Sequence, residues 1–393
     1  LLRDFSLSAA TAGFVAVLVG FTSSVAIVFQ AATALGATQA QLTSWMWALG
    51  LGMGLCSLLP AWWLRQPVMV AWSTPGAAVL AAGAVGAAGS GGFNMAQATG
   101  AFIFCGAMIL LSGATGWFER VMNRLPMALA AALLAGVLAR FGLQAFTAAG
   151  TALGMVAAML ITYLLGRRLA PRYAVMAVLV VGVLWCVAAG QMRMESVTWS
   201  LALPVFTMPV FDLAVIISLG VPLFIVTMAS QNLPGVAAIR AAGYDMPISK
   251  IISLTGIATL ALAPFGAFAL NLSAITAAIC MGPEAHEDPK RRYVAAMVSG
   301  LLYTLLGLFG GAIAGLLIAF PKAFIAAIAG LALLGTIGAG LATALKDEAD
   351  REAALITFLV TLSGVSILGV GSAFWGVVAG VLALVVQRAW RTA

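Results

Sequence analysis

The chain has 393 residues, 63% of them hydrophobic and 8% charged, with a mean hydropathy of +1.11. An ordinary soluble domain carries roughly 25% charged residues, so this composition excludes one and specifies an integral membrane protein. The net charge of +7 is a topology signal, and nothing in its distribution points to nucleic-acid binding.

Apolar runs separated by polar, Pro and Gly breaks predict helices over 8–35, 39–63, 67–87, 94–117, 125–145, 148–167 and 172–190. A second set follows over 212–240, 247–262, 265–282, 290–319, 322–345, 352–368 and 372–391, giving about fourteen spans in an all-α protein. The first run begins near Leu7 with no charged leader and no small-residue cleavage site, so it reads as a span and not a signal peptide. Cys56, Cys105, Cys186 and Cys280 fall singly in different apolar runs, without CxxC or metal-ligand spacing, and read as packing residues that form no disulfide. With the N-terminus inside, only Arg140, Arg193 and Lys322 of the 19 Lys and Arg fall at or near the outer side. That is the positive-inside bias, and it predicts both termini in the cytoplasm of a bacterial-type inner membrane.

Seven spans precede the polar stretch QMRMESVTWS (191–200) and seven follow it, which divides the chain into 1–190 and 205–393. An odd number per half makes the halves run oppositely through the membrane, the inverted-repeat plan of many secondary transporters. FQAATALG (29–36) echoes VAAIRAAG (236–243), and the same register sets AWSTPGAA (71–78) against LNLSAITA (270–277), pairing Thr74 with Ser273. Ser73-Thr74-Pro75-Gly76 is helix-start chemistry at a place where the neighbours suggest mid-membrane. Six extended residues at about 3.3 Å each, then helix at 1.5 Å per residue to 87, cover about 40 Å, enough to cross.

Segments 3 and 10 are therefore expected to be a short extended strand followed by a half-helix, with the two helix N-termini facing each other. Irregular backbone at that depth survives only when buried in protein or lining a cavity, so the breaks point to a binding site. Two positive helix ends can seat an anion without a buried lysine. The expected contacts are the side chains of Ser24, Ser73, Thr74, Gln231, Asn271 and Ser273 and the backbone N–H groups near Gly76, Ala77, Ile275 and Thr276. FTSSV (21–25) and MASQN (228–232) supply Ser23-Ser24 and Ser230-Gln231 at similar depth, and the amides of Gln231 and Asn271 need partners if buried.

All twelve acids fall in loops or at span ends, so no intramembrane carboxylate is in place to carry a proton. The only histidine, His286, lies in GPEAHEDPKRR, which reads as a solvated, charged inner loop and not as a metal site. No nucleophile–base pair or acid cluster marks an enzyme, so no catalytic residue, metal or cofactor is expected.

ALNLSAITAAICMGPEAHEDPKRRY (269–293), with QPVMVAWSTPGAA (66–78), resembles the benzoate:proton symporter (BenE) family over essentially the whole chain, and MGPEAHEDP is the most specific part. That family is similar in architecture to the uracil/xanthine permeases and the sulfate-type anion transporters. The resemblance implies a core domain of about 1–117 plus 205–310 and a gate domain of about 118–190 plus 311–393. It implies import of benzoate or a related aromatic carboxylate with protons, the proton gradient being the energy source and the lipid bilayer the setting. The ring would rest on Trp72 and Phe268, and a homodimer is left open. The nucleobase relatives carry carboxylates on the eighth and tenth spans where this chain has Ser230-Gln231 and Asn271-Leu272-Ser273-Ala274-Ile275, which suits an anion that a fixed carboxylate would repel. An inside-negative potential opposes anion entry by about 2.3 kcal/mol per charge per 100 mV, which a co-transported proton cancels. Whether the proton rides on the substrate or on a residue stays open, and so do two rivals: another anion or a nucleobase carried on the same fold, and a passive anion channel.

Overall fold

The computed structural model describes residues 4–22, 24–86, 93–192, 201–309, 320–365, 367 and 372–391; Ser23 and most of the 191–200 stretch lie outside the described residues. The chain is mostly helical. The first half runs through α1 (Leu7–Thr22), α2 (Val25–Ala34), α3 (Gln39–Leu64), strand β1 (Val70–Trp72), α4 (Thr74–Gly86), α5 (Met95–Thr115), α6 (Trp117–Met122), α7 (Met127–Thr147), α8 (Ala149–Leu169) and α9 (Ala174–Ala188). The second runs through α10 (Leu213–Ala241), α11 (Ile248–Leu262), β2 (Leu270–Leu272), α12 (Ile275–Met281), α13 (Tyr293–Leu308), α14 (Lys322–Ala344), α15 (Arg351–Ser363) and α16 (Ser372–Arg391). Among the described residues six helices are by themselves long and apolar enough to cross a bilayer. The expectation of about fourteen spans therefore depends on counting shorter helices and broken segments, and the helices themselves do not establish that number.

Helix ends follow local chemistry. α3 and α5 both open on a reciprocal cap, Thr38 with Gln41 and Asn94 with Gln97, each side chain bonding the other's backbone N–H. α15 stops at Ser363, short of the expected 368, because Gly364 takes a left-handed φ of 71° and ends it. α10 widens into π-helical turns at Ile216–Gly220 and Met228–Asn232, and each is followed two residues on by a proline, Pro222 or Pro234. A proline ring cannot fit over the preceding turn of a regular α-helix, and the wider turn makes room for it.

The two strands form an antiparallel pair in the register Val70↔Leu272, Ala71↔Asn271 and Trp72↔Leu270. The ladder is extended at both ends, by Ser73 N–H to Ala269 C=O at 3.1 Å and by Ser273 N–H to Met69 C=O at 3.0 Å. Backbone donors on the outer edges of so short a sheet would be orphaned in an apolar interior, and helices supply the acceptors. Val70 N–H bonds Ser57 Oγ of α3 at 2.9 Å, Leu270 N–H bonds Thr259 Oγ1 of α11 at 3.1 Å, and Leu272 N–H bonds Asn232 Oδ1 of α10 at 2.9 Å. The same twofold relation carries through the packing, since α3 lies along α13 as α11 lies along α5. Small residues bring these helices together: a Cβ on Gly50 would stand 2.5 Å from Gly307 Cα, and one on Gly113 would stand 2.5 Å from the Ser253 N.

This ladder corrects the expected repeat register by one residue. The strand pairing makes Ser73, and not Thr74, the equivalent of Ser273. Strand hydrogen bonds fix the register absolutely, whereas an alignment through Ala- and Gly-rich helices slips at little cost.

Loops at one face are knitted together. Asp4 meets Arg291 at 3.6 Å and accepts from Tyr293 Oη at 2.8 Å, Gln66 Nε2 donates to Asp245 C=O at 3.1 Å, and Tyr244 Oη donates to Pro289 C=O at 2.8 Å. Arg240 bonds Met122 C=O and Asn123 Oδ1. These contacts join the N-terminal segment to the loop that carries Arg291, and Arg240 at the end of α10 to the end of α6.

Candidate binding site

A cavity of about 270 Å³ lies where α4 and α12 begin. Ser24, Trp72, Thr74, Gln231, Ser273, Ile275 and Thr276 line it, together with Gly20, Met53, Ala71, Pro75, Phe141, Gln144 and Tyr303. None of these wall residues is Asp, Glu, Lys, Arg or His, so whatever charge preference the cavity has comes from backbone and side-chain dipoles.

Each half-helix is capped by its own serine. Ser73 Oγ accepts Gly76 N–H at 3.1 Å and the Ser73 carbonyl accepts Ala77 N–H at 2.8 Å; Ser273 Oγ accepts Thr276 N–H at 3.4 Å. Thr227 Oγ1 donates to Ser73 Oγ at 2.8 Å and holds that cap in place. The amides of Gly76, Ala77 and Thr276, expected to face an anion, are therefore engaged within the protein, and Ser73, Gly76 and Ala77 are not in the cavity wall. Pro75 removes a further donor. Three amides remain without an acceptor among the described residues: Thr74 N–H at the start of α4, Ile275 N–H at the start of α12 and Ala274 N–H just ahead of it, of which Thr74 and Ile275 belong to cavity-lining residues. Thr276 adds a side-chain donor: its hydroxyl is buried, lines the cavity and has no protein partner.

Trp72 and Ser24 form one unit. Trp72 Nε1 donates to Ser24 Oγ at 2.8 Å, and Ser24 Oγ donates to Gly20 C=O at 3.0 Å, across the interruption between α1 and α2. That interruption divides the single helix expected over 8–35 and leaves the Gly20 carbonyl available to the serine. The Trp72 ring lies 5.7 Å from Phe21 and presents an apolar surface to the cavity.

Two expected contacts lie elsewhere. Phe268 is fully buried among Trp45, at 5.7 Å, and Phe102, at 6.2 Å, and belongs to an aromatic cluster away from the cavity. Asn271 is also outside the cavity wall: its Nδ2 donates to the neighbouring Leu272 C=O at 2.9 Å, and its Oδ1 is buried without a partner. Its strand partner Ala71 lines the cavity, as does Trp72, whereas the Asn271 side chain is turned onto its own strand. The sequence reading passed over Gln144 and Phe141 of α7, Tyr303 of α13 and Met53 of α3. Gln144 is the one with a legible signal, a polar amide one turn beyond Arg140 in a largely apolar helix. Gly20 is needed for space, because a Cβ there would stand 2.5 Å from the Tyr303 hydroxyl and 2.8 Å from Thr276 Cγ2.

The 282–292 loop is folded in at 284–286, contrary to the solvated loop expected, while Glu287, Lys290 and Arg291 are exposed as expected. Glu284, Ala285 and His286 are buried. Arg292 donates to the carbonyls of Met281 and His286, both at 2.7 Å, and His286 Nδ1 accepts Asp288 N–H at 3.0 Å. Glu284 pairs with Arg167 of α8 at 2.9 Å, and burial pushes its carboxyl above the usual glutamate range. Among the described residues no three His, Cys, Asp or Glu side chains gather to hold a metal, and all four cysteines are free and buried.

The chain belongs to the benzoate membrane transport protein family, whose sequence model (BenE) matches residues 3–386. It is 48% identical over 387 residues to the inner membrane protein YdcO of Escherichia coli (strain K12), covering 98% of this chain and 97% of that protein. It is 38% identical over 381 residues to the benzoate membrane transport protein of Acinetobacter baylyi (strain ATCC 33305 / BD413 / ADP1), covering 97% and 95%. The solved overall structure of SLC26A9 matches all of this chain and 66% of its own with a TM-score of 0.51 at 13% identity, a likeness of fold alone. The chain is accordingly a membrane transport protein and not an enzyme.

Proposed function

We propose that this protein imports benzoate or a closely related aromatic carboxylate together with protons, by alternating access, across a bacterial-type inner membrane with its arginine-bearing face in the cytoplasm. The observation that carries this reading is the cavity between α4 and α12: Thr74 and Ile275, whose amides have no acceptor, line it together with the unpartnered Thr276 hydroxyl, and no fixed charge does. Such a site favours a carboxylate by oriented dipoles and leaves net charge to be balanced by the co-transported proton. Trp72, Met53 and Phe141 offer apolar surface for a ring.

In this reading α4, α12 and α10 belong to a core of about 1–117 plus 205–310, and α7 belongs to a gate of about 118–190 plus 311–393. Phe141 and Gln144 would then close over the substrate from the moving side. The relative from Acinetobacter named for benzoate transport supports the substrate class.

The test is uptake of labelled benzoate by proteoliposomes with an imposed pH gradient, competed by uracil, sulfate and substituted benzoates. Accumulation against the benzoate gradient, blocked by substituted benzoates only, is expected. Uptake indifferent to the pH gradient would remove proton coupling, and competition by uracil or sulfate alone would reassign the substrate.

A further inference from the structure

The candidate binding site does not use Glu284, the most buried acid among the described residues. Its side chain is 6% exposed, whereas that of Arg167, which donates to it at 2.9 Å, is 40% exposed. A Cβ added at Gly335 of α14 would stand 2.7 Å from one carboxylate oxygen, and one at Gly282 would stand 2.8 Å from the other, so both oxygens are closely enclosed. The loop is held in this shape by the Arg292 bonds to Met281 and His286. A cavity of about 230 Å³, walled by Ala238, Gly282, Pro283, Arg292 and Gly335, lies on one side of the loop. Another of about 330 Å³, walled by Arg167, Pro283 and Glu287, lies on the other. Pro283, next to Glu284 in the chain, belongs to both walls, so the loop that carries Glu284 forms a partition between the two cavities, and Arg167 lines the second.

The charged and titratable groups around Glu284 are few. α8 contributes Arg167 and Tyr163, the start of α13 contributes Arg292, and its own loop contributes His286 and Glu287. From α14 the neighbour is Gly335, which has no charge. A half-exposed arginine is screened by water and offsets only part of the cost of burying a carboxylate. Burial accordingly outweighs the two arginines, and the group binds its proton more tightly here than in water.

We propose that Glu284 is a proton-binding site whose affinity is tied to closure of the arginine-bearing face: closed, the buried carboxyl binds a proton more tightly, and opening the partition hydrates it and favours release of the proton to that side. The direction follows from linkage, because the conformer that binds the proton more tightly is favoured as pH falls. Acid on this face therefore favours closure, and alkali favours opening. An Arg167 N–H can donate to the carboxyl in either protonation state, so the contact itself does not require the charge. The inference needs only that the partition opens and closes. Its test uses no substrate, so its failure is distinguishable from failure of the benzoate reading.

The experiment is maleimide labelling of Ala238→Cys, a position 1% exposed in the wall of the inner cavity, in purified protein across a pH series. Each rate is normalised to the denatured protein at the same pH, which removes thiol ionisation. The parent lacking Ala238→Cys sets the background from the four buried native cysteines. The normalised rate should rise with pH along a one-proton curve, by at most about tenfold for each unit separating the closed and open pKa. Glu284→Gln, the neutral isostere, should stay flat at the low-pH rate. Arg167→Gln, which removes the nearest positive charge, should move the midpoint to higher pH. A flat rate in Ala238→Cys alone, an unchanged rise when Glu284→Gln is added, or a midpoint that stays or moves lower when Arg167→Gln is added would overturn the proposal.

Discussion

Ser73 and Ser273 occupy equivalent positions in the two halves of the molecule. Each donates its backbone N–H to the opposite strand, to Ala269 and Met69, and each hydroxyl oxygen accepts the amide three residues further on. The caps use up donors that would otherwise face the cavity and hold the remaining ones in place. The donors left over at the cavity wall are the amides of Thr74 and Ile275 and the Thr276 hydroxyl.

Thr276 offers the sharpest single probe of that arrangement, since its hydroxyl is buried with no partner in the protein. Thr276→Val keeps the shape and removes the donor. A hydrogen bond to a charged group is worth about 1.5–3 kcal/mol, so benzoate affinity should fall about tenfold or more while thermal stability stays at the wild-type level. Titration of the purified variant with benzoate reads this directly, and unchanged affinity would place the carboxylate elsewhere.

Gly20 should resist enlargement. Its missing Cβ leaves room for the Tyr303 hydroxyl and for Thr276, so Gly20→Ala should lower stability by about 1–3 kcal/mol through overpacking and weaken benzoate binding with it. Adding Tyr303→Phe should recover part of the loss in a melting experiment. A double variant no better than Gly20→Ala would show that Tyr303 is not the obstruction.

Phe268 separates fold from site. It packs against Trp45 and Phe102 and not against the cavity, so Phe268→Ala should cost about 3–5 kcal/mol of stability. Its benzoate affinity, measured below its melting temperature, should be close to wild type. A selective loss of affinity with normal stability would return Phe268 to the binding surface.

The pH dependence of stability has a definite sign at Glu284. Its pKa is raised on folding, chiefly by burial, so its contribution is fully present below the unfolded value and is lost as pH rises through the folded one. Glu284→Gln cannot ionise and escapes that loss. Melting temperatures of the two proteins across a pH series should therefore diverge on the alkaline side, with the variant the more stable, and parallel curves would contradict the assignment.

Much of the local architecture was legible because its signals are local. Ser-Thr-Pro-Gly at 73–76 marks a helix start wherever it occurs, and Ser273 lies in the matching place of the second half. What failed was tertiary. Which of two adjacent residues, Thr74 or Ser73, performs the capping depends on the strand ladder, and the ladder involves residues about 200 positions apart. Phe268 and Asn271 were misplaced for a tertiary reason too: Trp45 and Phe102, from other helices, enclose Phe268, and the Asn271 amide bonds its own strand. The 282–292 loop looked solvated because it is rich in charge, yet Arg292 turns its charge inward onto backbone carbonyls. Phe141, Tyr303 and Met53 gave no signal at all, being apolar or aromatic residues in apolar helices.

The central claim is that the carboxylate sits between the two half-helix starts, and benzoate affinity of purified variants at fixed pH tests it most directly. Ser273→Ala and Gln231→Ala remove polar groups from the cavity wall and should each weaken binding by at least about tenfold. His286→Ala alters the loop beyond the far end of α12 and should leave affinity nearly intact while the protein remains folded. Wild-type affinity in both cavity variants, or a loss confined to His286→Ala, would contradict the account.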